Sequence, residues 1–121
     1  LIITNMWGNK LNVGATHPPH THSNNFLSGV FYLQSDNKSA PIQFFDPRAQ
    51  ANILIPRRKN NNWNNSTVIQ FDSVAGIGFI FPSWLRHSVP PNEIATKDRI
   101  SLSFNTFVRG TLYHGSDSEY W

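Results

Sequence analysis

Three histidines, His17, His20 and His22, stand close together in the stretch THPPHTHSNNFLSGVFYL, residues 16–33. Neutral imidazoles are ready ligands for a divalent transition metal. In an extended chain, residues two apart project from one face, so His20 and His22 can reach a common ion. Pro18 and Pro19 favour the extended approach that this needs. His17 lies further back, across both prolines, and need not share that face. A His-x-His pair also occurs on polar surfaces without any metal, and taken alone the pair leaves that reading open.

A fourth histidine strengthens the case. His87 follows GIGFIFPSWLR, an apolar run with a Pro-led turn, and precedes SVPP. A histidine at the end of a buried strand is easily aimed inward. His114, beside Gly115 near the C-terminus, reads as a surface residue. Arg99 and Ser101 share one strand face by the period-two rule. A planar guanidinium offers two parallel hydrogen bonds to a carboxylate, so the pair suits an acidic ligand; an exposed edge arginine is the alternative. Tyr32 is either a further hydroxyl for the same carboxylate or a core aromatic with a satisfied OH. Trp84, in the turn before His87, shapes a cleft or plugs a barrel end.

Strands must position these groups, because the sequence offers no sustained 3.6-residue periodicity. Strand signals recur at 26–34, 41–46, 66–72, 76–82 and 99–108. In the last of these, Ile100, Leu102 and Phe104 alternate with Arg99, Ser101, Ser103 and Asn105. Asn, Asp, Pro and Gly punctuate the runs as turns require. The Asn-rich segment 57–66 reads as an exposed loop. Short strands at this spacing predict an all-β sandwich or barrel, a jelly roll among them.

With 121 residues the chain is expected to form a single domain with one core. Its aromatic content of 13% suits a β-rich interior. The absence of cysteine excludes a disulfide framework, a thiolate zinc site and a cysteine nucleophile, and agrees with a reducing, cytoplasmic setting. The net charge of +3 is mild. Arg57, Arg58 and Lys59 read as a solvated loop, so nucleic acid is not indicated. No apolar run approaches membrane-spanning length, so no membrane partner is expected. Exposed β-edges make a homodimer plausible.

The segments HTHSNNFLSGVFYL, IQFFDPR, GFIFPSWLRHSVPP and RISLSFN resemble, in order, those of the 2-oxoglutarate and iron(II)-dependent oxygenases. Within them they are most similar to a small microbial and phage-associated subfamily with FPSWLxHSV and RISxxFN segments. The resemblance runs from about Trp7 to Val108. It implies a double-stranded β-helix with little helix, and N-terminal sequence beyond Leu1 in the full-length protein. It implies Fe(II) as metal and 2-oxoglutarate as a small-molecule cosubstrate. It implies that His20 and His87 are metal ligands, that Arg99 grips the far carboxylate of 2-oxoglutarate, and that Ser101 assists it.

The broad superfamily has an acid where this chain has His22, whereas His is usual there in the narrower subfamily that the chain resembles. Three arrangements are open. His22 ligates, giving a three-histidine face; it stands aside; or Asp46, in FFDPR, supplies a carboxylate from a neighbouring strand. The first is favoured, because Asp46 before Pro47 is already explained as a turn residue, with Arg48 as its partner. The expected activity is oxidative decarboxylation of 2-oxoglutarate coupled to hydroxylation of an unidentified substrate. Two rivals are a non-enzymatic jelly-roll binding module and a cupin-type metal dioxygenase without 2-oxoglutarate. The first has no need of a carboxylate clamp. The second expects a glutamate soon after its His-x-His, and no Glu precedes Glu93 here.

Overall fold

The computed structural model describes residues 1–48, 53–54, 56–93, 95–112 and 119–120. Among them there is no helix. Ten strands follow one another: β1 (Ile2–Leu11), β2 (His17–His20), β3 (Leu27–Gln34), β4 (Ile42–Phe45), β5 (Val68–Phe71), β6 (Gly78–Pro82), β7 (His87–Val89), β8 (Arg99–Phe107), β9 (Thr111–Leu112) and β10 (Glu119–Tyr120). Eight of them form two four-stranded antiparallel sheets, ordered β1-β8-β3-β6 and β2-β7-β4-β5. β9 and β10 make a separate ribbon. The two sheets are the layers of a jelly roll. The expected strands are present, each one to three residues shorter than its sequence signal. β1 and the three-residue β7 are strands that sequence reading did not anticipate: β1 mixes Thr, Asn and Lys into its run, and β7 is too short to show a period.

Register shows which residues share the inner face of the first sheet. Asn9, Ser101 and Tyr32 align across β1, β8 and β3. Trp7, Ser103, Val30 and Phe79 form the next row, and Asn105, Ser28 and Phe81 a third. The β3–β6 side of this face is apolar and packs with Ile42 and Phe44 of the second sheet to form the core. Phe44 meets Phe81 and Phe71 edge-on, with centroids 4.9 and 6.0 Å apart. The β1–β8 side is polar, and it faces a cavity instead.

On the outer face, the ring of Phe104 lies over Gly29, where any Cβ would collide with it. A glycine is therefore required there, and the aromatic ring covers the bare backbone. Any larger residue at Gly29 forces Phe104 off the sheet.

Asp36 ties the β3–β4 turn to the segment before β8. Its carboxylate accepts hydrogen bonds from the Thr96 and Lys97 backbone amides, the Thr96 hydroxyl and the Lys38 amide. These donors hold its pKa well below the usual carboxylate range, the Thr96 hydroxyl most of all. The Asn-rich segment is a loop closed on itself: the Asn62 amide donates to Asn65 Oδ1 at 2.8 Å and the Asn64 amide to Asn62 Oδ1 at 2.9 Å. His114 lies outside the described residues.

Candidate metal centre and anion pocket

His20 ends β2 and sits opposite His87, the first residue of β7. β7 in turn aligns His87 with Phe44 of β4. His22 lies just past β2, where its backbone amide donates to the Ser83 carbonyl at 3.0 Å. This bond extends the strand geometry beyond its formal end, so the i, i+2 pair faces one way. The three imidazoles come together: one nitrogen from each lies within 4.8 Å of the others. Ring centroids are separated by 5.2 Å (His20–His22), 4.4 Å (His20–His87) and 5.1 Å (His22–His87).

The tautomers are set by what each Nδ1 meets. His20 Nδ1 lies 2.7 Å from the Pro18 carbonyl and His87 Nδ1 2.9 Å from the Leu85 carbonyl. A carbonyl only accepts, so both Nδ1 atoms carry hydrogen. His22 Nδ1 lies 2.7 Å from Asn105 Oδ1. In all three rings the Nε2 lone pair is then left for the cavity. This donor set fits a divalent transition metal, and such oriented imidazoles are its usual ligands.

Burial holds the His87 pKa down to about 4, outweighing the Leu85 carbonyl, and the neighbouring histidines His20, His22 and His17 reinforce the effect. A neutral imidazole at ordinary pH is what a metal requires. The unfolded chain binds a proton at this position below pH 6.5, the ordinary value of a free histidine, whereas the folded metal-free protein does not until about 4. Unfolding therefore takes up a proton in that window. The metal-free protein loses thermal stability as pH falls from 6.5 towards 4, and His87→Gln flattens that loss. Melting curves across the range check this.

His17 also lines the cavity. Sequence periodicity gave no reason to place it there. A bulge in β2 does so: His17 and His20, three residues apart, align with Val89 and His87, two apart. The extra residue restores both histidines to one face. Burial lowers the pKa of His17, helped by the Arg99 guanidinium and by His20.

Beyond the imidazoles, the cavity of about 100 Å³ is lined by Asn9, Arg99, Ser101 and Ser103 of the first sheet. Arg99 is only 2% exposed and Ser101 1%. Arg99 donates to the Tyr32 hydroxyl at 3.1 Å, and its guanidinium stacks over the Tyr32 ring at 4.7 Å. Tyr32 is fully buried, and burial raises its pKa against the opposing pull of Arg99. It is thus a core aromatic and a hydroxyl partner of Arg99 together. No carboxylate pairs with Arg99 among the described residues: Asp98 binds Lys10, and Asp46 binds Arg48. Arg99 Nε is buried without a partner. A buried cation lacking a counterion is costly.

Asp46 stands apart from the imidazoles. Its carboxylate takes two hydrogen bonds from the Arg48 guanidinium, both at 3.0 Å, and one from the Arg48 amide. The Arg48 contacts lower its pKa. This is the turn arrangement of an Asp-Pro-Arg segment. Trp84 is 62% exposed and plugs nothing.

A Pseudomonas putida prolyl-4-hydroxylase superposes with a TM-score of 0.60 at 18% identity, over 86% of this chain and 52% of that one. The chain thus spans about half the length of that hydroxylase, and at this identity the likeness is one of fold. A Bordetella pertussis cupin domain aligns over 88% of this chain and 91% of its own, with 12% identity and a TM-score of 0.49. No curated protein matches at the sequence level. The sequence model of one family, described as putative 2OG-Fe(II) oxygenase, matches residues 5–105. The chain belongs to this family of 2-oxoglutarate and Fe(II)-dependent oxygenases.

Proposed function

We propose that the protein is a 2-oxoglutarate-dependent oxygenase in which His20, His22 and His87 hold Fe(II) through their Nε2 atoms. The observation that carries this reading is the buried, uncompensated guanidinium of Arg99 in the same cavity as three converging imidazoles. A metal site alone requires no such cation. A dicarboxylate that chelates the metal at one end and is gripped at the other requires both.

Bound Fe(II) supplies the oxidative decarboxylation of 2-oxoglutarate coupled to hydroxylation of a second substrate. The chain's own residues do the rest. Arg99 offers its guanidinium, and Ser101, two residues on along the same face, offers a hydroxyl to the distal carboxylate. Tyr32 keeps the guanidinium in place through its OH and ring. Trp7, Val30, Ile42 and Phe81 supply apolar walls that limit water and strengthen these charge interactions. The neutral third imidazole, where the broad superfamily has a carboxylate, leaves the centre one unit more positive. That charge tightens its hold on an anionic cosubstrate.

The test is succinate formation from 2-oxoglutarate, measured with Fe(II) under air and with the metal withheld. The reading expects metal-dependent turnover, slow without primary substrate. A protein that binds Fe(II) but neither binds nor consumes 2-oxoglutarate overturns it. Tyr32→Phe retains turnover but raises the KM for 2-oxoglutarate roughly tenfold, the equivalent of a hydrogen bond to a charged group at about 1.5 kcal/mol. An unchanged KM shows that the Tyr32 hydroxyl does not position Arg99.

A further inference from the structure

Two of the three histidines are oriented by their own backbone. His20 and His87 each face the carbonyl two residues before them, Pro18 and Leu85. His22 is different. Among the described residues no main-chain carbonyl meets its Nδ1; instead it meets a side chain from the other sheet, Asn105 Oδ1 at 2.7 Å.

We infer that Asn105 is a positioning residue that locks the His22 tautomer and so decides whether the third imidazole is a metal ligand at all. The inference rests on the metal reading above and deepens it. Asn105 is buried, 5% exposed, on the inner face of β8. Ser28, which is completely buried, donates to Asn105 Oδ1 at 2.7 Å and pairs with the Ser83 hydroxyl at 2.8 Å. Ser83 in turn accepts the His22 backbone amide. One closed set of bonds therefore fixes both the backbone and the ring of His22.

The orientation of the amide matters. With Oδ1 towards the ring, His22 Nδ1 must donate, and Nε2 is free to ligate. Were the amide turned, its NH₂ would demand a lone pair from Nδ1, and Nε2 would carry the hydrogen. A protonated Nε2 cannot bind metal. Asn is also the neutral relative of the carboxylate that often backs a metal-bound histidine. It fixes the tautomer without adding charge. The strand that carries the anion clamp at Arg99 thus also secures the third imidazole at Asn105.

The test titrates Co(II) into the metal-free full chain and reads its visible spectrum. Ser28 Oγ lies 3.1 Å from His22 Nδ1 and can substitute as acceptor. The decisive variant therefore combines Asn105→Leu with Ser28→Ala. It should bind Co(II) 10- to 100-fold more weakly than wild type, as expected on loss of an outer partner of a metal ligand. Its Co(II) spectrum should match that of His22→Ala, since both leave two imidazoles in place. Asn105→Asp, nearly identical in shape, keeps an acceptor and should bind at least as tightly as wild type. Three results overturn the lock: a double variant within twofold of wild type, a double-variant spectrum unlike that of His22→Ala, or an Asn105→Asp protein as weak as the double variant. A wild-type protein that takes up no Co(II) overturns the metal reading itself, before any Asn105 variant is made.

Discussion

Replacing Arg99 with Met abolishes 2-oxoglutarate binding while leaving metal uptake intact. The guanidinium is 2% exposed, stacked on Tyr32, and has no acidic partner among the described residues. Removing one member of a buried charge pair costs about 2–5 kcal/mol or more, which is roughly 30-fold to several thousand-fold in affinity. Calorimetry on the Fe(II)-loaded protein without oxygen measures it directly, and unchanged binding ends the clamp assignment. Arg99→Lys does not rescue, because a point charge lacks the planar fork. The same substitution has an opposite effect on stability. Wild type buries a cation whose Nε has no partner. A methionine of similar length removes that cost, so the ligand-free Arg99→Met protein melts higher than wild type. A gain in stability with a loss of binding is the signature of a strained functional group. A surface arginine or a purely structural one would not produce it.

His87→Ala loses the metal. Of the three histidines, His87 alone is buried, and it forms the first residue of a strand held on both sides by β2 and β4. It cannot be replaced by a neighbour without breaking that pairing. The expected drop in metal affinity exceeds the 10–100-fold that follows loss of an outer partner. Metal content after desalting checks it, with Asp46→Ala as the contrast. Asp46 is paired with Arg48 and lies away from the imidazoles, so that variant keeps its full complement of metal. A metal-replete His87→Ala protein, or a metal-free Asp46→Ala protein, reverses the assignment.

The all-β class followed from short apolar runs separated by turn residues. The resemblance carried by HTH, FPSWLRHSV and RISLSFN pointed to a family before any geometry was known. Period-two reasoning correctly grouped His20 with His22 and Arg99 with Ser101, because the pleat repeats every two residues whatever the strand packs against. The same rule missed His17, since a bulge in β2 adds a residue that no local signal announces.

More was beyond the reach of pattern. In β8 the apolar residues Ile100, Leu102 and Phe104 alternate with Arg99, Ser101, Ser103 and Asn105. Alternation says that the two sets face opposite ways, but not which faces inward. Ordinary burial energetics would turn the apolar set in. The fold does the reverse, and Arg99, Ser101 and Asn105 are the buried set. β8 is clamped between β1 and β3, and its register with Tyr32, Val30 and Ser28 commits its polar face to the interior. Arg99 then finds a partner in Tyr32, Asn105 in His22 and Ser28, and Ser103 on the same face in Asn9. The residue types and their two-residue spacing are properties of the chain. The convergence of β2, β7 and β8 on one cavity is not, because it depends on contacts between residues up to 83 positions apart, as between His22 and Asn105.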